Sequence, residues 1–186
     1  KLDGRLSAPL SRSTAEHSDL SAWRQALTEP EAPGLHGVLQ RMATASSIDD
    51  RLSAVLLDIY GPDALVRALT RLTLPLSAQF MTGGSGGVRF GSLSRMAVEI
   101  GKAAMKVDDP PSFDAMRALY IACMPQVSAS LAAAMGRRYP EETKTMLEQR
   151  LEVFGGDEAA CRRVRRAALK AYCLLVEGGV ISKSEA

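Results

Sequence analysis

Aromatic residues make up only 5% of this chain, with one tryptophan and four phenylalanines. Its hydrophobic content of 46% comes mainly from Ala, Leu, Val and Met. These are helix formers, and the aromatic and β-branched mixture that favours strands is missing, so an all-α fold is expected. The three cysteines, Cys123, Cys161 and Cys173, form no Cys-x-x-Cys pair, which argues against a disulfide framework. The two histidines, His17 and His36, stand far from every cysteine, so no familiar zinc ligand set is available. No metal or other cofactor is expected. Apolar runs of membrane-spanning length are absent and the Ser-rich start lacks a signal-peptide core, so an intracellular, cytoplasmic protein without membrane contact is expected. The formal charge of +2 on 186 residues is too near balance to support nucleic-acid binding by global charge. A chain of this length suits one compact domain or a short array of repeats. It opens at Lys1 and closes just after a helical pattern, as a piece of a longer protein would.

Residues 1–17 read as a loosely ordered N-terminal arm, followed by helices over 18–81. Leu20, Trp23 and Leu27 share one helical face until Pro30, and Leu35, Val38, Leu39 and Met42 mark a second short helix. Ser47 to Asp50 resembles a capping box for a third carrying Leu52, Val55, Leu56 and Ile59. After Gly61-Pro62, Leu65, Leu69 and Leu72 oppose Arg67 and Arg71 on a fourth, which Pro75 is expected to disturb. The Gly-rich stretch within 82–91 is assigned to a flexible loop or an engineered linker. It lacks the Lys-Ser/Thr of a phosphate loop.

Residues 92–186 show cleaner periodicity. Leu93, Met96, Ile100, Ala103 or Ala104, and Val107 oppose Arg95, Glu99, Lys102 and Lys106. The segment Phe113 to Met124 is nearly apolar all round and is expected to be the central helix. Val127, Leu131 and Met135 continue after Pro125, and Pro140 opens another helix. In the last one, Cys161, Val164, Ala168, Ala171 and Leu175 form an inner side, while Arg162, Arg166, Leu169 and Cys173 fall at i, i+4, i+7 and i+11 on the opposite side. About nine short helices joined by tight turns suggest stacked antiparallel hairpins in a HEAT-like solenoid, with a globular bundle as the alternative.

No catalytic motif is present. The acidic pairs Asp49-Asp50, Glu141-Glu142 and Asp157-Glu158 fall at helix N-termini, where the helix dipole accounts for them, and Asp108-Asp109 lies in a Pro turn. The basic run Arg162, Arg163, Arg165, Arg166 with Lys170, joined by Arg137 and Arg138, offers contacts for RNA phosphate or an acidic partner. No aromatic series accompanies it for base stacking, and a solvated helix face is the plainer reading. The mixed stripe of Arg162, Arg166, Leu169 and Cys173 is the candidate partner-binding surface.

From Leu93 onward, the succession LSRMAVEIGKAAMK, DAMRALYIACM, LAAAM and LKAYCLLVEGGVISK resembles the middle domain of the translation initiation factor 4G family, and within it the domains of nonsense-mediated-decay adaptors. The likeness covers about half the chain and lies in helix order, loop spacing and the ending of Lys170, an apolar helix and Gly179-Val-Ile-Ser182. Ala171 and Leu174 stand where that family often carries an aromatic and an acidic residue. The resemblance implies a non-enzymatic scaffold docking RNA helicases or decay factors in messenger RNA surveillance or translation complexes, with direct RNA contact left open. A helical secreted bacterial effector or secretion-system accessory protein is the alternative, and a helical enzyme with a scattered site is a further one.

Overall fold

The computed structural model describes residues 34–42, 50–81, 87–153 and 157–182. Among them are eight helices and no strand: α1 (Leu35–Met42), α2 (Asp50–Tyr60), α3 (Pro62–Met81), α4 (Gly87–Ala104), α5 (Phe113–Ala122), α6 (Pro125–Gly136), α7 (Pro140–Leu151) and α8 (Glu158–Glu177). The protein is all-α over these residues. The expected N-terminal arm, the Trp23 helix, His17, the Ser47 cap and residues 82–86 of the Gly-rich stretch lie outside the described residues.

Local chemistry sets the boundaries. Three helices, α3, α6 and α7, open on proline, whose missing N–H would have had no partner in the first turn anyway. Gly61 ends α2 in the left-handed region at φ +77°, and its N–H donates to the Leu57 carbonyl at 2.9 Å. Ser112 caps α5 by accepting from the Ala115 N–H at 3.3 Å.

Each helix packs chiefly on helices one or two places away in the chain: α3 on α4 and α5, α4 on α6, and α8 on α6 and α7. The packing of α4 on α6 has a clear direction. Ser94 meets Met124, and Gly101 lies against Leu131, seven residues further along both helices, so the two run parallel. A side chain at Gly101 would place its Cβ 2.9 Å from Leu131 Cδ1 and 3.0 Å from Leu119 Cδ2, so glycine is what lets three helices approach closely. The turns stack as well. Arg138 donates to the Val107 carbonyl at 3.0 Å, Tyr139 donates to the Pro111 carbonyl at 2.8 Å, and the Phe113 and Tyr139 rings meet edge to face.

Three sequence expectations need correction. The most enclosed helix is α6, where seven of twelve residues are buried; α5 ends at Ala122 and exposes Asp114, Arg117 and Ala118. Small residues let α6 sit deepest, because alanines and Gly136 permit neighbours on several sides. Pro75 does not end α3, which runs on to Met81. Arg71 and Pro75, one turn apart, both lie on the exposed face, so the carbonyl that Pro75 cannot satisfy faces water. Finally, residues 87–91, placed with the Gly-rich loop, belong to α4. Phe90 anchors them, buried and stacked at a tilt 5.3 Å from Phe80.

Candidate functional site

The longest amphipathic surface in the C-terminal half is α8. Asp157 starts it by accepting from the Ala159 N–H at 2.8 Å, with Glu158 in the first turn beside the positive helix end. Its end is a Schellman motif: Gly179, at φ +66°, donates to the Val176 carbonyl and Val180 donates to that of Leu175. Cys161, Val164, Ala168, Ala171 and Leu175 are buried against the core. Leu175 reaches Gly136, where an added Cβ would stand 2.5 Å from Leu175 Cδ2.

The opposite face carries Arg162, Arg166, Leu169 and Cys173, all exposed. Leu169 keeps 53% of its surface accessible and Leu174, one residue beyond Cys173, keeps 41%. Arg162 reaches Glu158 only loosely, at 3.9 Å, and Arg166 and Lys170 have no carboxylate partner among the described residues. Charge and apolar surface therefore alternate on this face with little internal neutralisation.

The other basic residues are distributed differently. Arg165 serves the fold: one guanidinium nitrogen donates to the Val153 carbonyl just past the end of α7 at 2.9 Å and the other to Glu158 at 2.8 Å. Arg163 lies over the Phe80 ring at 5.1 Å and 3.8 Å from Asp157. This cation–π contact ties the start of α8 to the end of α3. Arg137 and Arg138 directly follow Gly136, which packs on Leu175 near the other end of α8. Twelve residues separate Leu175 from Arg163, about 18 Å along the axis. The stripe of Arg162, Arg166, Leu169 and Cys173 is thus one continuous surface, whereas the wider basic set is not.

Two clefts were not legible from sequence, because each is assembled by non-adjacent helices. One, of about 350 Å³, lies between α4, α6 and α8 and is lined by Arg95, Val98, Val127, Ala129, Lys170 and Leu174 among others. It adjoins the stripe through Lys170 and Leu174. The second, of about 310 Å³, lies between α5 and α7, with Phe113 and Arg117 facing Glu141, Glu142 and Met146. Behind it Arg150 lies 6.0 Å from the Tyr120 ring centre. Burial lowers the Arg150 pKa and raises that of Tyr120, which the nearby Arg150 charge partly opposes.

Three of the four acidic pairs are described in full and stand at helix starts or in a turn; Asp50 opens α2, and Asp49 lies outside the described residues. Asp157 caps α8, Glu141 and Glu142 are exposed in the first turn of α7, and Asp108 and Asp109 are exposed in the turn after α4. None of the three cysteines forms a disulfide; Cys123 and Cys161 are buried and Cys173 is exposed. Burial pushes the Cys123 thiol up to about 12, so it is a core group rather than a nucleophile. No group of three His, Cys, Asp or Glu residues suited to a metal occurs among the described residues, and no helix there is long and apolar enough to cross a membrane. His36 lies on α1, with its side chain outside the described residues.

Compared with protein-family models, curated proteins and solved structures, the chain matches none. The ending that resembles the initiation-factor middle domain, Gly179-Val-Ile-Ser182, is the Schellman stop itself: glycine takes the left-handed position, and Ile181 is buried in the core beside Leu175. That chemistry ends helices in many folds, so the ending carries little family information by itself.

Proposed function

We propose that this protein is a helical docking scaffold whose partner binds the outer face of α8. The observation that carries the reading is the uninterrupted exposed stripe of Arg162, Arg166, Leu169 and Cys173, with two large apolar residues, Leu169 and Leu174, open to solvent beside unneutralised cations. Single exposed leucines are ordinary on a protein surface, but two of them beside a cleft and among cations supply the apolar contacts within a charged rim that a protein interface uses. Principal packing between helices one or two places apart, with α4 parallel to α6, is compatible with stacked helical hairpins, which present rigid extended surfaces. On the initiation-factor resemblance, the partner is an RNA helicase or another subunit of a messenger RNA surveillance or translation complex.

The test is affinity capture from an extract of the source organism with the parent protein and an R162E/R166E variant, with and without nuclease. Nuclease-resistant recovery of an RNA helicase or decay factor, lost in the variant, is expected. Recovery that depends on intact RNA makes the contact RNA-bridged and overturns protein docking. Recovery of secretion-apparatus or host proteins alone replaces the messenger RNA assignment with the effector reading.

A further inference from the structure

The outer face of α8 has a counterpart elsewhere in the molecule. Helices α3 and α8 are both 20 residues long. Starting from the acid near each N-terminus, α3 carries Asp63, Arg67, Arg71, Leu74 and Ala78, and α8 carries Glu158, Arg162, Arg166, Leu169 and Cys173. The spacing is the same at every step: acid, arginine, arginine, leucine, small residue. Burial follows it. Leu65, Val66, Leu69 and Thr73 are buried on α3 where Ala160, Cys161, Val164 and Ala168 are buried on α8, while Arg67, Arg71, Leu74 and Ala78 are exposed like their counterparts. The two leucines are open to nearly the same degree, 51% for Leu74 and 53% for Leu169. In both helices the acid pairs with the first arginine one turn on, Asp63 with Arg67 at 2.6 Å and Glu158 with Arg162 at 3.9 Å.

Core packing explains why inner faces resemble one another, but it places no demand on which side chains stand in solvent. A repeated outer face needs a cause outside the core. We propose that α3 carries a second docking stripe equivalent to that of α8, and that both receive the same kind of partner segment, an acidic amphipathic helix. The inference rests on the docking reading of α8 and extends it to a second site and to the partner's chemistry.

Charge selects the occupant. Arg71 and Arg166 have no carboxylate partner among the described residues, so each stripe offers a cation beside an exposed leucine. A second copy of this chain applied stripe to stripe brings arginines and leucines but no unpaired carboxylate, since Asp63 and Glu158 already face Arg67 and Arg162, so it leaves Arg71 and Arg166 without a counter-charge. An occupant with one apolar ridge flanked by Glu or Asp satisfies both features, in the manner of a helix laid along a groove. The stripe covers eleven residue steps, about 16 Å or three turns, which sets the length of the bound segment. The two sites are not identical in strength. Next to the α8 stripe, Lys170 and Leu174 open onto the cleft with Arg95 and Val127, whereas α3 has Pro75 and Gln79 at the matching positions. The α8 site is therefore the tighter one.

The probe is a synthetic helical peptide with leucines at i, i+4 and i+7 and glutamates beside them, titrated calorimetrically into the whole chain at low salt. A control peptide carries lysines instead. Two peptides per chain are expected for the parent, one for R67E/R71E, one for R162E/R166E and none for the quadruple variant, with no binding of the lysine peptide. L74A and L169A should each weaken their own site at least tenfold, and far-UV circular dichroism with a thermal melt checks that every variant folds. Should R67E/R71E fail to fold, L74A paired with R71Q takes its place. A single site removed by R162E/R166E and indifferent to R67E/R71E overturns the second stripe and leaves α8 docking standing. Binding unaffected by either leucine substitution makes the contact purely electrostatic and overturns the proposal. Failure of the acidic peptide to bind at all overturns the assigned chemistry, whatever capture shows for α8.

Discussion

The hydroxyl of Ser94 on α4 accepts a hydrogen bond from the backbone N–H of Met124 at 2.9 Å, thirty residues downstream. Met124 is the N-cap of α6, followed by a proline that has no N–H to give, so this contact fixes where α6 begins against α4. Ser94 is fully buried. Ser94→Ala leaves the Met124 donor without its partner and should cost about 1–3 kcal/mol. Urea unfolding reads this directly as a lower midpoint with an unchanged slope.

Close approach at Gly136 is the second testable point. Alanine there gains helix propensity of about 1 kcal/mol, but its Cβ would lie 2.5 Å from Leu175 Cδ2 in a filled core. Overpacking of this kind costs about 1–3 kcal/mol, so the overlap should win and Gly136→Ala should lower the melting temperature. The double variant Gly136→Ala/Leu175→Val should recover part of the loss, a coupling that a double-mutant cycle measures.

Arg165 links the end of α7 to the start of α8 through the Val153 carbonyl and Glu158. The Glu158 partner is largely exposed, at 63%, so the ion pair contributes little, and the carbonyl contact carries most of the effect. Arg165→Met should destabilise by about 1 kcal/mol, with weak dependence on salt. A strong loss of the effect in 1 M NaCl would assign it to the ion pair instead.

The Cys123 thiol should make the fold sensitive to alkali. Its pKa rises from 9.0 to about 12 on burial, so the unfolded chain loses its proton first as the pH increases. The stabilising difference is complete below pH 9 and falls by up to about 1.4 kcal/mol per pH unit above it. Cys123→Ala should flatten the decline between pH 9 and 11 in denaturant titrations. Thiol labelling at pH 8 supplies an independent check: Cys173 reacts promptly, and Cys123 waits for opening of the structure.

How much of this was legible in the sequence depends on the kind of signal. The inner side of α8 was read residue by residue from a period of three and four, because Cys161 through Leu175 meet one continuous core. The exposure of Arg162, Arg166, Leu169 and Cys173 follows from the same geometry. The α3 stripe was hidden by Pro75: with the helix expected to be disturbed there, Leu74 and Ala78 were not read into the pattern, although the spacing from Arg67 is identical to that from Arg162. Glycine composition concealed the first turn of α4, which Phe90 holds by burial rather than by propensity. The enclosure of α6 and the cleft beside Lys170 depend on which helices meet, and no local period encodes that.

Because every principal helix contact joins elements one or two places apart in the chain, the loops that must close during folding are short. Such a topology has low contact order and allows rapid assembly for a chain of this size. The parallel seam of α4 and α6, with Gly101 and Ser94 at its two ends, spans only α5 in the chain, and substitutions there are the ones whose φ-values test whether it forms early. The same locality leaves α1 with one principal neighbour among the described residues, α3, so a lesion there reaches α8 most directly through the Phe80–Arg163 contact at the end of α3.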